Sequence, residues 1–129
     1  MQTLYTCLFI AALLPYACAF ASVPYRIRQF GKPDLRQPRV QAAALENAGA
    51  RAVGAQKNAW EALAVFTVTV FLAYANNVGG GGVETAAMVF VAARVLHPVF
   101  YIADMAPLRT LSFFTGFGAC LYIMGAAVF

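Results

Sequence analysis

Arg94, His97 and Tyr101 stand at i, i+3 and i+7 within ARVLHPVFYIADMAPLRT, residues 93–110. On a helix advancing 100° per residue they fall within about 60° of one another and share a face. A guanidinium, an imidazole and a phenol so placed can hold an anion, move a proton or lock one helix to another. The surrounding run, Val83 to Ala103, is otherwise predominantly apolar. A charge at mid-membrane costs at least about 2.5–3.5 kcal/mol, so Arg94 should face a bundle interior and have a partner there. Glu61 lies in another apolar segment, whereas Glu84 sits at the opposite end of Arg94's own run, and an Arg94–Glu61 pair is therefore predicted. Such a pair can be purely structural, fixing helix register.

Two further groups belong with this face. Asn47, Arg51, Asn58 and Glu61 fall within an arc of about 80° on a helical wheel, a polar stripe running into an apolar segment, with Gly54 on the same stripe. Arg109 and Thr110 follow Pro107, a natural first-turn residue, so the free amides of a helix beginning there would join Arg109 in favouring an anion. Together these residues point to an intramembrane anion site open to the cytoplasm.

The elements that must position them are transmembrane helices. Of the 129 residues, 62% are hydrophobic and only 11% charged, against about one quarter charged in a soluble domain. Four apolar runs, Leu4 to Val23, Ala59 to Ala75, Val83 to Ala103 and Thr110 to Phe129, each approach the roughly 20 residues that cross a bilayer as helix. They lack the alternation of barrel strands. The fold class predicted is an all-α membrane protein, a four-transmembrane-helix bundle in one domain over residues 1–129, with helices at about 4–23, 40–75, 83–103 and 107–129. The second helix begins well before the membrane, because residues 40–58 are alanine-rich and free of proline; at 1.5 Å per residue it would reach roughly 50 Å.

Seven of the nine Lys and Arg residues, Arg26, Arg28, Lys32, Arg36, Arg39, Arg51 and Lys57, lie between the first two spans, which places residues 24–58 in the cytoplasm. The net charge of +4 is thus mostly a topology signal, with attraction to anionic headgroups following from it and nucleic-acid binding disfavoured. Small-residue sites near Ala17 to Ala21 resemble a signal cleavage site, but nothing before Arg26 is charged, and a retained first helix is expected. Cys7, Cys18 and Cys120 fall in apolar runs with no metal or disulfide spacing, and no metal site is expected. The glycines at 79–82 lack a following Lys-Ser/Thr and read as a turn.

RAVGAQKNAWEALAVF followed by ARVLHPVFYIADMAPLRTLSF resembles the MAPEG family, the membrane-associated proteins in eicosanoid and glutathione metabolism, and especially its small bacterial members. The resemblance covers about residues 37–129. It implies a homotrimer of four-helix chains in a bacterial inner membrane, with glutathione bound between subunits near the cytoplasmic face. Residue by residue, it implies that Asn58, Glu61, Arg94, His97 and Tyr101 line the glutathione pocket. Arg109 falls on the arginine that stabilises the glutathione thiolate, and Thr110 on a neighbouring hydroxyl residue. Arg109 and Tyr101 are the catalytic candidates, acting on a lipophilic electrophile that arrives from the bilayer. Gly54 and Lys57 stand where glutathione-binding members usually carry arginines that grip the peptide's carboxylates. Lys57 keeps the charge but loses the bidentate fork, and Arg51, one turn before Gly54, is the residue placed to compensate.

The resemblance therefore implies a glutathione-dependent transferase or peroxidase. The alternative is a non-catalytic lipid-binding or scaffold protein of the same fold. A small drug exporter of similar size would need an acid in the first helix, and Leu4 to Val23 contains none.

Overall fold

The computed structural model describes residues 1–129 as five helices: α1 (Gln2–Phe30), α2 (Pro38–Ala43), α3 (Asn47–Ala75), α4 (Gly81–Ile102) and α5 (Ala106–Val128). Four of them, α1, α3, α4 and α5, are long and apolar enough to cross a membrane. The chain is an integral, multi-pass membrane protein with a four-span helical bundle. Phe9, Phe20, Phe71, Leu111 and Phe114 point outward, as side chains facing lipid do.

Small residues set how closely the helices approach. Ala52, Ala55 and Ala59 on α3 are buried, and the last two form with Cys18 of α1 a thin seam into which Leu14 and Tyr101 pack. Without a hydrophobic driving force in lipid, such close backbone approach is what holds helices together. The larger core lies toward the other end, where Leu4, Phe66, Val70, Phe90 and Ile123 bring all four spans into one cluster. Phe66 and Phe90 stack with centroids 4.0 Å apart. The three cysteines are buried and unbridged, filling space as small apolar side chains do.

Two boundaries differ from the sequence expectation. The first helix does not stop near residue 23 but runs to Phe30, carrying Pro15 and Pro24 within it. It ends at Gly31, whose φ of 84° is left-handed and whose amide reaches the Ile27 carbonyl at 2.9 Å. The second expected helix, 40–75, is not continuous. It breaks between α2 and α3, with Glu46 extended and Asn47 at φ 50°. The cause lies outside the segment. Leu45 is buried close to Tyr25 and Gly49, and the Gln29 side chain replaces the missing helical partners. Its Nε2 donates to the Ala44 carbonyl at 3.0 Å, while its Oε1 accepts the Glu46 amide at 3.0 Å.

The segment before α2 is similarly tied. Asp34 accepts the amides of Arg36 and Gln37 at 2.8 and 3.1 Å, bonds that hold its carboxyl below the ordinary value of 3.8. Arg26 donates to the Pro38 carbonyl at 3.0 Å. The short turn between α4 and α5 is closed by Asp104 at φ 59° and by the Met105 amide on the Phe100 carbonyl at 2.9 Å. It delivers Arg109 to the first turn of α5.

Candidate intramembrane binding site

Arg94 and His97 project from α4 into the bundle and are 4% and 2% exposed. The predicted Arg94–Glu61 ion pair is not formed, and the one ion pair in the chain joins the Met1 amino group to Glu84. Arg94 instead donates from Nη2 to the Asn58 side-chain oxygen and, at 3.4 Å, to the Asn58 carbonyl. Asn58 then donates from Nδ2 to Glu61 Oε2 at 3.3 Å. The acid and the guanidinium are thus linked through an amide. Asn58, one turn nearer the N-terminal end of α3, offers two oxygens to the guanidinium, while Glu61 turns outward and is exposed on the flank of the chain.

Room for Arg94 comes from α5. A Cβ built on Gly116 would lie 3.1 Å from Arg94 Cδ, so glycine there allows the side chain its course between α4 and α5. Arg94 Nε and His97 Nδ1 have no hydrogen-bond partner. Buried polar atoms in native folds are nearly always satisfied, so two orphans one turn apart mark a place for polar atoms from outside the chain.

Two adjoining cavities meet these residues. The more polar one, about 270 Å³, is lined by Asn58, His97, Tyr101, Arg109, Thr110 and Phe113. Its neighbour, about 170 Å³, shares Asn58 and Phe113 and adds Glu61, Arg94, Phe90, Phe117 and Cys120. A polar chamber and an apolar one therefore touch at Asn58 and Phe113. Within the polar chamber the Arg109 guanidinium lies 4.7 Å from the Tyr101 ring centroid, a cation–π contact that holds it over the pocket. His97 meets the edge of the same ring, with centroids 5.7 Å apart.

Of the residues singled out in the sequence, Asn58, His97, Tyr101, Arg109 and Thr110 gather around the polar chamber, and Glu61 and Arg94 around its neighbour. Two do not join them. Arg51 donates from Nε to the Ile102 carbonyl at 3.1 Å, where a cation suits the carbonyl end of α4. Lys57 lines a separate groove beside α2. Gly54 has a specific neighbour: a Cβ there would lie 2.6 Å from the Tyr101 hydroxyl and 2.9 Å from its ring carbon. Phe113, Phe117 and Cys120 were not singled out. Their signal is the spacing from Arg109 of four, eight and eleven residues, which keeps all of them near one face of α5.

The fold and the pocket define a polytopic membrane protein with a polar site embedded among its helices. The chain belongs to the MAPEG family, whose pattern matches residues 3–129, essentially its full length. Neither the curated proteins nor the solved structures include a significant match.

Proposed function

We propose that this protein is a glutathione-dependent transferase or peroxidase acting on lipophilic substrates, assembled as a homotrimer in a bacterial inner membrane. The observation that carries the reading is the polar chamber, where Arg109 is held over Tyr101 near the unpartnered Nδ1 of His97, with the unpartnered Nε of Arg94 belonging to the adjoining cavity. The residues present fit a small peptide with anionic ends: Arg94 Nε is an open donor and His97 Nδ1 an open donor or acceptor according to tautomer. Asn58 has a further lone pair, and Thr110 adds a hydroxyl. Glutathione supplies a thiol whose deprotonated sulfur is the nucleophile.

Arg109 performs the electrostatic part. A free thiol has a pKa near 8.5, and a guanidinium beside the sulfur favours the thiolate at neutral pH. Tyr101 positions that guanidinium with its ring. The apolar chamber of Phe90, Phe113 and Phe117 receives the hydrophobic body of the electrophile and excludes water from it. Membership of a family associated with glutathione supports the same reading. Gly54 and Lys57 provide no bidentate grip on the carboxylates, so binding is expected to be weaker than in members with arginine at both positions.

The test is titration of the detergent-purified protein with glutathione in a calorimeter. Saturable binding that falls about ten- to a hundredfold in Arg94→Ala is the expected result, the scale of one lost charge-assisted hydrogen bond. Arg109→Ala should remove turnover of a lipophilic electrophile while weakening binding less. No saturation up to millimolar glutathione would overturn the reading.

A further inference from the structure

A third cavity, about 380 Å³, lies between α2 and α3, away from the polar chamber. Arg39 and Ala42 form its α2 side, and Val53, Gln56, Lys57 and Trp60 its α3 side. Arg39 and Lys57 are exposed, and neither donates a hydrogen bond within the chain. No carboxylate lines the groove. Nearby cations behave differently: Arg26 is spent on Ser22 and the Pro38 carbonyl, and Arg51 on the Ile102 carbonyl. Two free cations converging on one groove leave a net positive site with no internal counter-charge.

Its depth relative to the bilayer follows from the aromatic and apolar residues around it. Trp60 is 43% exposed and meets the ring of Tyr16 edge-on, with centroids 5.4 Å apart. Tryptophan and tyrosine favour the headgroup level, where an apolar ring and a polar edge are both accommodated. Leu35 and Val40, flanking Arg39 in an otherwise polar segment, are 90% and 63% exposed. Side chains of that kind, uncovered by protein at the end of a membrane span, rest against the lipid surface. A bilayer meeting these side chains would bring the cations of α2 to the level of its phosphates.

We propose that this groove is a binding site for an anionic phospholipid headgroup, with the phosphate between Arg39 and Lys57. Gln56 donates to a headgroup oxygen, and the glycerol and upper acyl chain lie along Ala42, Val53 and the Trp60 ring. A monoanionic phosphate matches two unpaired cations, and a zwitterionic headgroup brings a cation into a site that has no acid to meet it. Lys57 thereby acts in lipid binding rather than at the polar chamber. The site stands independently of the proposed thiol chemistry.

The test is native mass spectrometry of the delipidated, detergent-purified chain titrated with phosphatidylglycerol and with phosphatidylcholine of matched acyl chains. The wild type should prefer phosphatidylglycerol about tenfold or more, the scale of two cations near an anionic headgroup. Arg39→Ala/Lys57→Ala should lose that preference. Lys57→Arg, which keeps the charge, should retain it, so that a loss confined to the charge-removing variant is not a folding defect. Arg36→Ala, which removes a cation outside the groove, should also leave the preference in place. An equal loss in Arg36→Ala would mean diffuse attraction and overturn the site. Displacement of the lipid by millimolar inorganic phosphate or by glutathione would assign the groove to a free anion and overturn the lipid.

Discussion

A guanidinium inside a helical bundle needs acceptors for its N–H groups, and Arg94 takes both the side-chain and the main-chain oxygen of Asn58. Replacing Asn58 with alanine removes the better-directed acceptor and leaves Glu61 without its amide donor. Asn58→Ala should destabilise the protein by about 1.5–3 kcal/mol, the range for a lost hydrogen bond to a charged group, read as thermal unfolding in detergent. An unchanged midpoint would mean that Arg94 is held by something other than Asn58. The helical wheel brought Arg94 and the Asn58–Glu61 pair to facing positions, yet it selected the wrong partner. Charge complementarity pointed to Glu61, but the outcome depended on reach. A short amide one turn away, with its own carbonyl beside it, intercepts the guanidinium before the acid can. The close approach of Tyr101 to Gly54 was equally beyond a one-dimensional reading, because the ring comes from another helix.

The four spans were legible from apolar run length alone, because covering a hydrocarbon core leaves little freedom in where a helix must be. The junction between α2 and α3 was not. Residues 44–47, Ala-Leu-Glu-Asn, contain neither glycine nor proline, so local preference favours an unbroken helix. Tertiary contacts override it: Leu45 is drawn into the bundle, and Gln29, from α1, satisfies one polar group on each side of the break. Gln29→Ala should speed hydrogen exchange of the Glu46 amide about five- to tenfold, as expected for one lost bond of about 1 kcal/mol. Exchange in α4 and α5 should stay as it is. If Glu46 exchanges at the wild-type rate, the break is held by Leu45 packing and not by the amide bridge.

A single copy leaves Glu61 exposed at the start of the apolar part of α3, and a carboxylate facing lipid is costly. The proposed trimer is one way to take that flank out of lipid. Light scattering corrected for bound detergent should give a protein mass about three times 13.8 kDa, and a mass of one chain would overturn the trimer. Within each copy, the contact between Gly54 and Tyr101 also limits what the sequence can become. The hydroxyl occupies the volume that any larger residue at position 54 needs. An arginine cannot be introduced there while that ring keeps its place, so the two positions are epistatic. Any side chain gained at position 54 must be accompanied by a turn of the Tyr101 ring, so a substitution on α3 is felt at the phenol of the polar chamber.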